Sequence, residues 1–358
     1  MTWAPARAPE PAPDGARATW SVVADAAVTP FGRTRLPTLD PPRRGMTGAV
    51  HDAGGTLVTA SQRTWTRHNP SVPVATDPAT RSVEALRDAC PRTLPGRWLY
   101  AGHWTRHFGH FLVEVMPGLW PDPDDPAVRG AGGIAGVLVH RSFRGGPDPL
   151  PHRASGPLRV PAWQQSLLDL AGYGDLPVEA VRGDGVTVEE LVVASRPVIF
   201  RAHALPEAVT LWRRLGDRAV DLVGTAGTAG PRRVFLSRTG FNAAQAAEGH
   251  PRTSEAWDRH LDAAFAGAGF AVVQPEALPI TAQLALARGA EVLAGSSGSA
   301  LHLSAVAGPG CRVLEVGDTR DPTAPQTSQT MVDAAVGRES AFVAHEDDPG
   351  LRRLLAGL

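Results

Sequence analysis

From Arg232 onward, short apolar runs alternate with helical segments, and this alternation restricts the fold more than any other feature. RRVFLSR reads as a strand, TSEAWDRHLDAAFAGAG as a helix capped by Ser254 or Thr253, FAVVQ as a strand and ITAQLALARG as a helix. The stretch AEVLAGSSGSALHLSAVAGPGCRVLEVG, residues 290–317, completes the series. It reads as an apolar run, a turn of Gly295, Ser296, Ser297, Gly298 and Ser299, a helix from Ala300 to Ala307, and a second apolar run ending at Glu315. Strands alternating with helices specify a parallel sheet covered by helices, with ligands at the carboxyl ends of the strands. A bare loop at a helix N-terminus suits a phosphate, because small residues let backbone N–H groups approach it and the helix dipole favours negative charge. The same small residues also serve tight packing, and neither G-x-G-x-x-G nor G-x-x-x-x-G-K-[ST] occurs.

The 358 residues suffice for two domains, and the 43% hydrophobic and 20% charged content is that of a globular protein. A formal net charge of −1 gives no reason for broad binding to nucleic acid or anionic membrane. Cys90 and Cys311 form neither a disulfide framework nor a zinc knuckle, and a reducing cytoplasm fits them best. No run has the apolar length of a membrane span, and the N-terminus lacks the apolar core of a signal peptide. Residues 1–17, rich in Pro and Ala, are expected to form a mobile tail. There is no lysine: all 35 basic residues are arginine. Lysine Schiff bases, lysine-anchored pyridoxal phosphate and the Walker A lysine are therefore excluded. An anionic ligand must rest on arginine, backbone N–H, histidine or metal, although codon bias explains the missing lysine more simply than function does.

Four constellations could carry chemistry. His103, His107, His110 and Glu114 would share one face of a continuous helix, although Gly102 and Gly109 argue against helix before residue 109. A general base or acid from His110 or Glu114, a zinc site, or structural histidines against Trp104 and Phe108 all fit that spacing. Arg238, after the strand RRVFLS, could grip a diphosphate bidentately or sit in an exposed turn. Glu315, at a strand end, could accept ribose hydroxyls or be an exposed acid. Asp122, Asp124 and Asp125 lie among prolines and read as a solvated loop.

Taken in order, these pieces resemble glycosyltransferase family 61. GHFLVEVMPGLW (Gly109 to Trp120), RRVFLSR, Glu255 before a helix, GFAVVQPEALPITAQLALARGAEVLAG and CRVLEVG each match a segment of the family from about residue 97 to 345. The resemblance implies an α/β, GT-B-like architecture: two Rossmann-like domains with parallel sheets facing an interdomain cleft. The expected boundaries are an acceptor-side domain over 18–223, a linker over 224–231, a nucleotide-sugar domain over 232–336 and a strand and helix over 337–358. It implies inverting transfer from a nucleotide sugar, a UDP-sugar first among them, to a glycan or other hydroxyl acceptor, without a tightly held metal or a nucleic-acid partner. Position by position, Arg238 and the loop Gly295 to Ser299, with His302 beyond it, would hold the donor diphosphate and Glu315 would meet the ribose. His110 or Glu114 would face the acceptor, with His103, Trp104 and His107 lining that side. One position departs: the family commonly has G-p-H-G-A-g-L, and Ser297 stands where the loop histidine would be. A catalytically silent binding homologue, and a metal enzyme built on the histidines, are the alternatives. Assembly state is open.

Overall fold

The computed structural model describes residues 3–30, 32–36, 43–62, 80–143, 146–147, 155–224, 230–247 and 252–358. The core of the expected linker, 225–229, and much of the Pro/Arg loop, 37–42, lie outside the described residues. By contacts the chain divides into two units, Pro13–Phe200 with Leu205–Leu211, and Met1–Ala12 with Arg201–Ala204 and Trp212–Leu358. Both are α/β.

The N-terminal unit carries strands β1 (Trp20–Val28), β2 (Arg92–Trp104), β3 (Ile134–Phe143), β4 (Val178–Val181) and β5 (Val186–Ala194). Their order is β1-β5-β2-β3-β4, with short antiparallel strands at both margins. From β5 to β4 the pairing is parallel, but β1 runs antiparallel to β5. The sheet is therefore mixed, where the resemblance implied a parallel one. Leu94, Trp98, Tyr100, Leu138, Val188 and Val193 are among the residues packed in its core.

Strand β2 runs further than its sequence suggests. The segment GRWLYAG reads in the sequence as a strand that ends near Ala101. Gly102 instead takes φ +70°, the pairing register with β3 shifts there, and the strand continues to Trp104. A glycine at positive φ makes a bulge of what would otherwise be a strand stop. The turn of the following segment is also unusual. His107 caps one α-helical turn, Phe108–His110, which widens into a π-helix over Phe111–Val115 and tightens to a 3-10 turn over Met116–Leu119. Phe111, Leu112, Val113, Val115 and Met116 are all buried, and this apolar run holds the segment in place.

The C-terminal unit has strands β6 (Arg233–Leu236), β7 (Ala271–Val273), β8 (Val292–Ser296), β9 (Arg312–Val316) and β10 (Glu339–Val343), in the order β7-β6-β8-β9-β10 and all parallel. This is the doubly wound order 2-1-3-4-5, whose topological switch point lies between the first and third strands, β6 and β8. Helices α1 (Thr239–Ala247), α2 (Glu255–Gly267), α3 (Ile280–Gly289), α4 (Thr327–Ala335) and α5 (Asp348–Leu355) connect and follow them. One face of the sheet is filled by Phe235, Phe265, Phe270, Val316, Val343 and Leu351, with Phe235 and Phe265 stacked 4.0 Å apart. Residues 299–306 form a 3-10 rather than an α-helix.

The stretch expected as a mobile tail contributes to this unit. Ala4–Pro5 pair antiparallel with β10, Ala6 N–H bonds to Arg338 O at 2.9 Å, and the Arg312 guanidinium lies 4.7 Å over the Trp3 ring. Pro and Ala disguise an anchor whose work is done by one tryptophan, and the short strand covers an edge that β10 would otherwise present. Among the described residues no helix is long and apolar enough to cross a membrane.

Candidate functional site

In the C-terminal unit the chemistry gathers at the carboxyl ends of β6, β8 and β9. Arg238 follows β6, Ser297 and Gly298 follow β8, and Asp318 and Arg320 follow β9. Arg238 Nη1 donates to Ser297 O at 2.9 Å, and Arg320 Nη2 donates to the same oxygen at 3.2 Å. Arg320 is also held by Asp318, whose Oδ2 lies 2.5 Å from Nη2 and 2.9 Å from Nε. Gly298 has φ +144°. A Cβ there would collide with Arg238 Nη1 and lie 3.6 Å from Arg252 Nη1, so two guanidiniums converge on one bare backbone position. Arg238 is only 7% exposed, and among the described residues neither it nor Arg252 has a carboxylate within 4 Å. Burial, together with repulsion from Arg252 and Arg320, pulls the Arg238 pKa down to about 10. Burial and Arg320 likewise lower that of Arg252. Asp318 and Asp258 offset part of this repulsion, and three guanidiniums against two carboxylates leave a positive site that can accept an anion.

Ser297, where the resemblance implies a loop histidine, turns inward. It is fully buried. Its N–H bonds to Val316 O at 2.7 Å and its Oγ donates to Glu315 Oε1 at 2.7 Å, while its carbonyl is capped by the two arginines. Glu315 is buried too, and its Oε1 also accepts the Gln326 N–H at 3.1 Å. Glu315 thus supports the loop from beneath. His302 points its Nδ1 at Gln329 Oε1, 2.9 Å away. Gln329 Nε2 in turn donates to Ser304 Oγ and Asp333 Oδ1, each at 2.8 Å, which fixes the amide orientation and makes His302 Nδ1 the donor. This network lies behind the 3-10 segment.

Two predictions belong to this loop. Gly298→Ala is expected to keep the fold and lose anion binding, because the methyl displaces Arg238 and the φ is strained for alanine. Calorimetric titration checks it, and unchanged affinity would contradict it. The second concerns pH. Burial raises the Glu315 pKa from 4.5 to about 8. The folded state then holds a proton that the unfolded chain releases, so this contribution to stability is complete below pH 4.5 and is lost as pH rises through 8. Relative to Glu315→Gln, which accepts the same two hydrogen bonds uncharged, the wild type is expected to lose up to about 1.4 kcal/mol per pH unit between pH 5 and 8. Denaturant titrations at several pH values measure this, and parallel curves would refute it.

The N-terminal unit holds the second group. His110 Nδ1 and Glu114 Oε1 are 2.5 Å apart, with the His110 side chain 34% and the Glu114 side chain 5% exposed. A buried carboxylate accepts the Nδ1 proton and leaves Nε2 as the basic nitrogen, so the pair can act as a base oriented by an acid. Glu114 lies within the π-helix that begins just after His110, and such widened turns are frequent at functional sites. His107 and Phe200 flank the His110 ring at 4.9 and 4.8 Å.

His103 lies on a strand and not on a shared helix face. Carried past the Gly102 bulge on β2, it pairs with His140 in register and stacks on it at 5.1 Å. Trp104, 2% exposed, packs edge-on to Phe111. Among the described residues no three His, Cys, Asp or Glu are gathered to hold a metal. Sequence reasoning missed Asp318 and Arg320. They follow directly on VLEV, and the rule that ligands sit at strand carboxyl ends applied to that segment as much as to the Gly/Ser loop.

A search of curated proteins returns no match. A model of the family Glycosyltransferase 61 matches residues 108–314, more than half of the chain, from the His110 turn into β9. The chain belongs to the glycosyltransferase 61 family.

Proposed function

We propose that this glycosyltransferase moves a sugar from a nucleoside-diphosphate donor, a UDP-sugar first among the candidates, to a hydroxyl acceptor with inversion. One observation carries the reading: a buried arginine with no carboxylate partner among the described residues, at the topological switch point, beside two further arginines. The GT-B plan that the family resemblance implies assigns the donor to the C-terminal unit and the acceptor to the N-terminal one. The acceptor oxygen forms a bond to the anomeric carbon as the bond from that carbon to the β-phosphate oxygen breaks. His110 Nε2 takes the hydroxyl proton, with Glu114 holding the ring and offsetting the imidazolium charge. The leaving diphosphate takes the electron pair, and Arg238, Arg252 and Arg320 stabilise its charge.

The test is to incubate the protein with UDP-, GDP-, CDP- and dTDP-sugars and a panel of glycan acceptors in chelator, and to follow nucleotide release. Release that depends on acceptor, with an inverted anomeric configuration by NMR, supports the reading. Nucleotide binding without any transfer would instead favour the silent homologue that the inward-turned Ser297 brings to mind.

A further inference from the structure

Three like-charged side chains from three separate loops converge against their mutual repulsion, so hydrogen bonds within the fold must assemble them. Asp258, on the first turn of α2, is 3% exposed, and both its oxygens are used. Oδ1 accepts the Thr253 hydroxyl at 2.6 Å and Oδ2 accepts Asn242 Nδ2 at 2.9 Å, while Asn242 Nδ2 also donates to Thr253 Oγ1 at 2.6 Å. Each of these residues is tied to an arginine. Asn242 N–H bonds to Arg238 O at 2.7 Å, and Thr253 is the chain neighbour of Arg252. On the other side, Thr319 donates to Arg252 O through its N–H at 3.2 Å and its Oγ1 at 2.9 Å, and Thr319 lies between Asp318 and Arg320. The bonds run unbroken from Arg238 through Asn242, Asp258, Thr253, Arg252 and Thr319 to Arg320.

Ser254, not Thr253, caps α2, accepting from Trp257 N–H at 3.2 Å, so the Thr253 hydroxyl is committed to Asp258. The triad is not needed to start the helix. It spends a buried carboxylate on the loop that presents Arg252, although neither Arg252 nor Arg238 forms an ion pair with it.

We propose that Asp258 is a positioning residue for the donor: through Thr253 and Asn242 it holds Arg252 beside Arg238, and so sets the affinity for the diphosphate. This rests on the donor reading above. Calorimetric titration of the full chain with UDP, GDP, CDP and dTDP tests it in two backgrounds, wild type and Arg252→Ala. Asp258→Asn is expected to weaken the best-bound nucleotide about tenfold in the wild type and less than threefold in Arg252→Ala, since coupled residues do not add. The acceptor KM should not move. An equal loss in both backgrounds, or no loss in the wild type, overturns the proposal. If Asp258→Asn does not fold, Thr319→Ala reaches the same Arg252 carbonyl from the exposed side. It is expected to weaken binding about threefold in the wild type and not at all in Arg252→Ala, and unchanged wild-type affinity again overturns the proposal. A wild type that binds none of the four nucleotides sinks the donor reading itself, a separate result from a wild type that binds and a variant that binds equally well.

Discussion

Arg238→Ala is expected to weaken nucleoside-diphosphate binding by about 30- to 100-fold, the loss of a charge-assisted bidentate contact in a buried site. The same change is expected to leave the unliganded protein no less stable. Arg238 is buried and repelled by Arg252 and Arg320, and what holds it is the Ser297 carbonyl, which Arg320 also caps, the Phe241 ring 4.9 Å away and the more distant Asp318 and Asp258 charges. Removing it relieves repulsion and burial of charge together, and a functional site that costs stability is a common trade. The two readouts must move apart: the melting temperature holds or rises while the nucleotide-induced shift disappears. A variant that loses stability but binds normally would make Arg238 structural. Arg238→Lys, which keeps the charge and loses the planar fork, should fall between.

The second large effect lies in the other unit. His110→Ala is expected to cut turnover by about 10²- to 10⁴-fold, the usual span for a general base, with nucleotide affinity unchanged. Glu114→Gln should cost less. A glutamine oxygen can still accept from Nδ1 at the observed 2.5 Å position, so orientation survives while the charge that stabilises the imidazolium is lost. The order of the two losses decides between them: if Glu114→Gln is the more damaging variant, the carboxylate is the base and the imidazole its support. Full turnover in both would remove this pair from the mechanism.

The doubly wound C-terminal sheet was legible because its signals are local and periodic. Alternating strand and helix patterns gave four of the five parallel strands, and the Gly/Ser loop and Arg238 were visible as the ends of two of them. What lies around Arg238 was less so. Arg252, Asp318 and Arg320 reach it from loops that no periodicity marks, and their meaning comes from β6, β8 and β9 ending side by side. Ser297 looked like a lost ligand, whereas its hydroxyl is committed to Glu315, a pairing set by strand register between β8 and β9. In the N-terminal unit the four-residue spacing of His110 and Glu114 was readable. That His103 lies on a strand was not, because it depends on Gly102 bulging that strand and not ending it. The antiparallel run of β1 and the anchoring of Trp3 to Arg312 are likewise contacts made across long sequence separations.

The most direct measurement is a thermal-shift panel of UDP, GDP, CDP, dTDP and UDP-sugars on the full chain, in chelator and again with Mn²⁺. A ligand that binds only the folded state raises its melting temperature by mass action. The expected result is a clear rise with one nucleoside diphosphate, present in chelator and absent in Arg238→Ala. No shift with any nucleotide at millimolar concentration, or a shift that Arg238→Ala retains, would contradict the assignment of these arginines to a sugar-nucleotide donor.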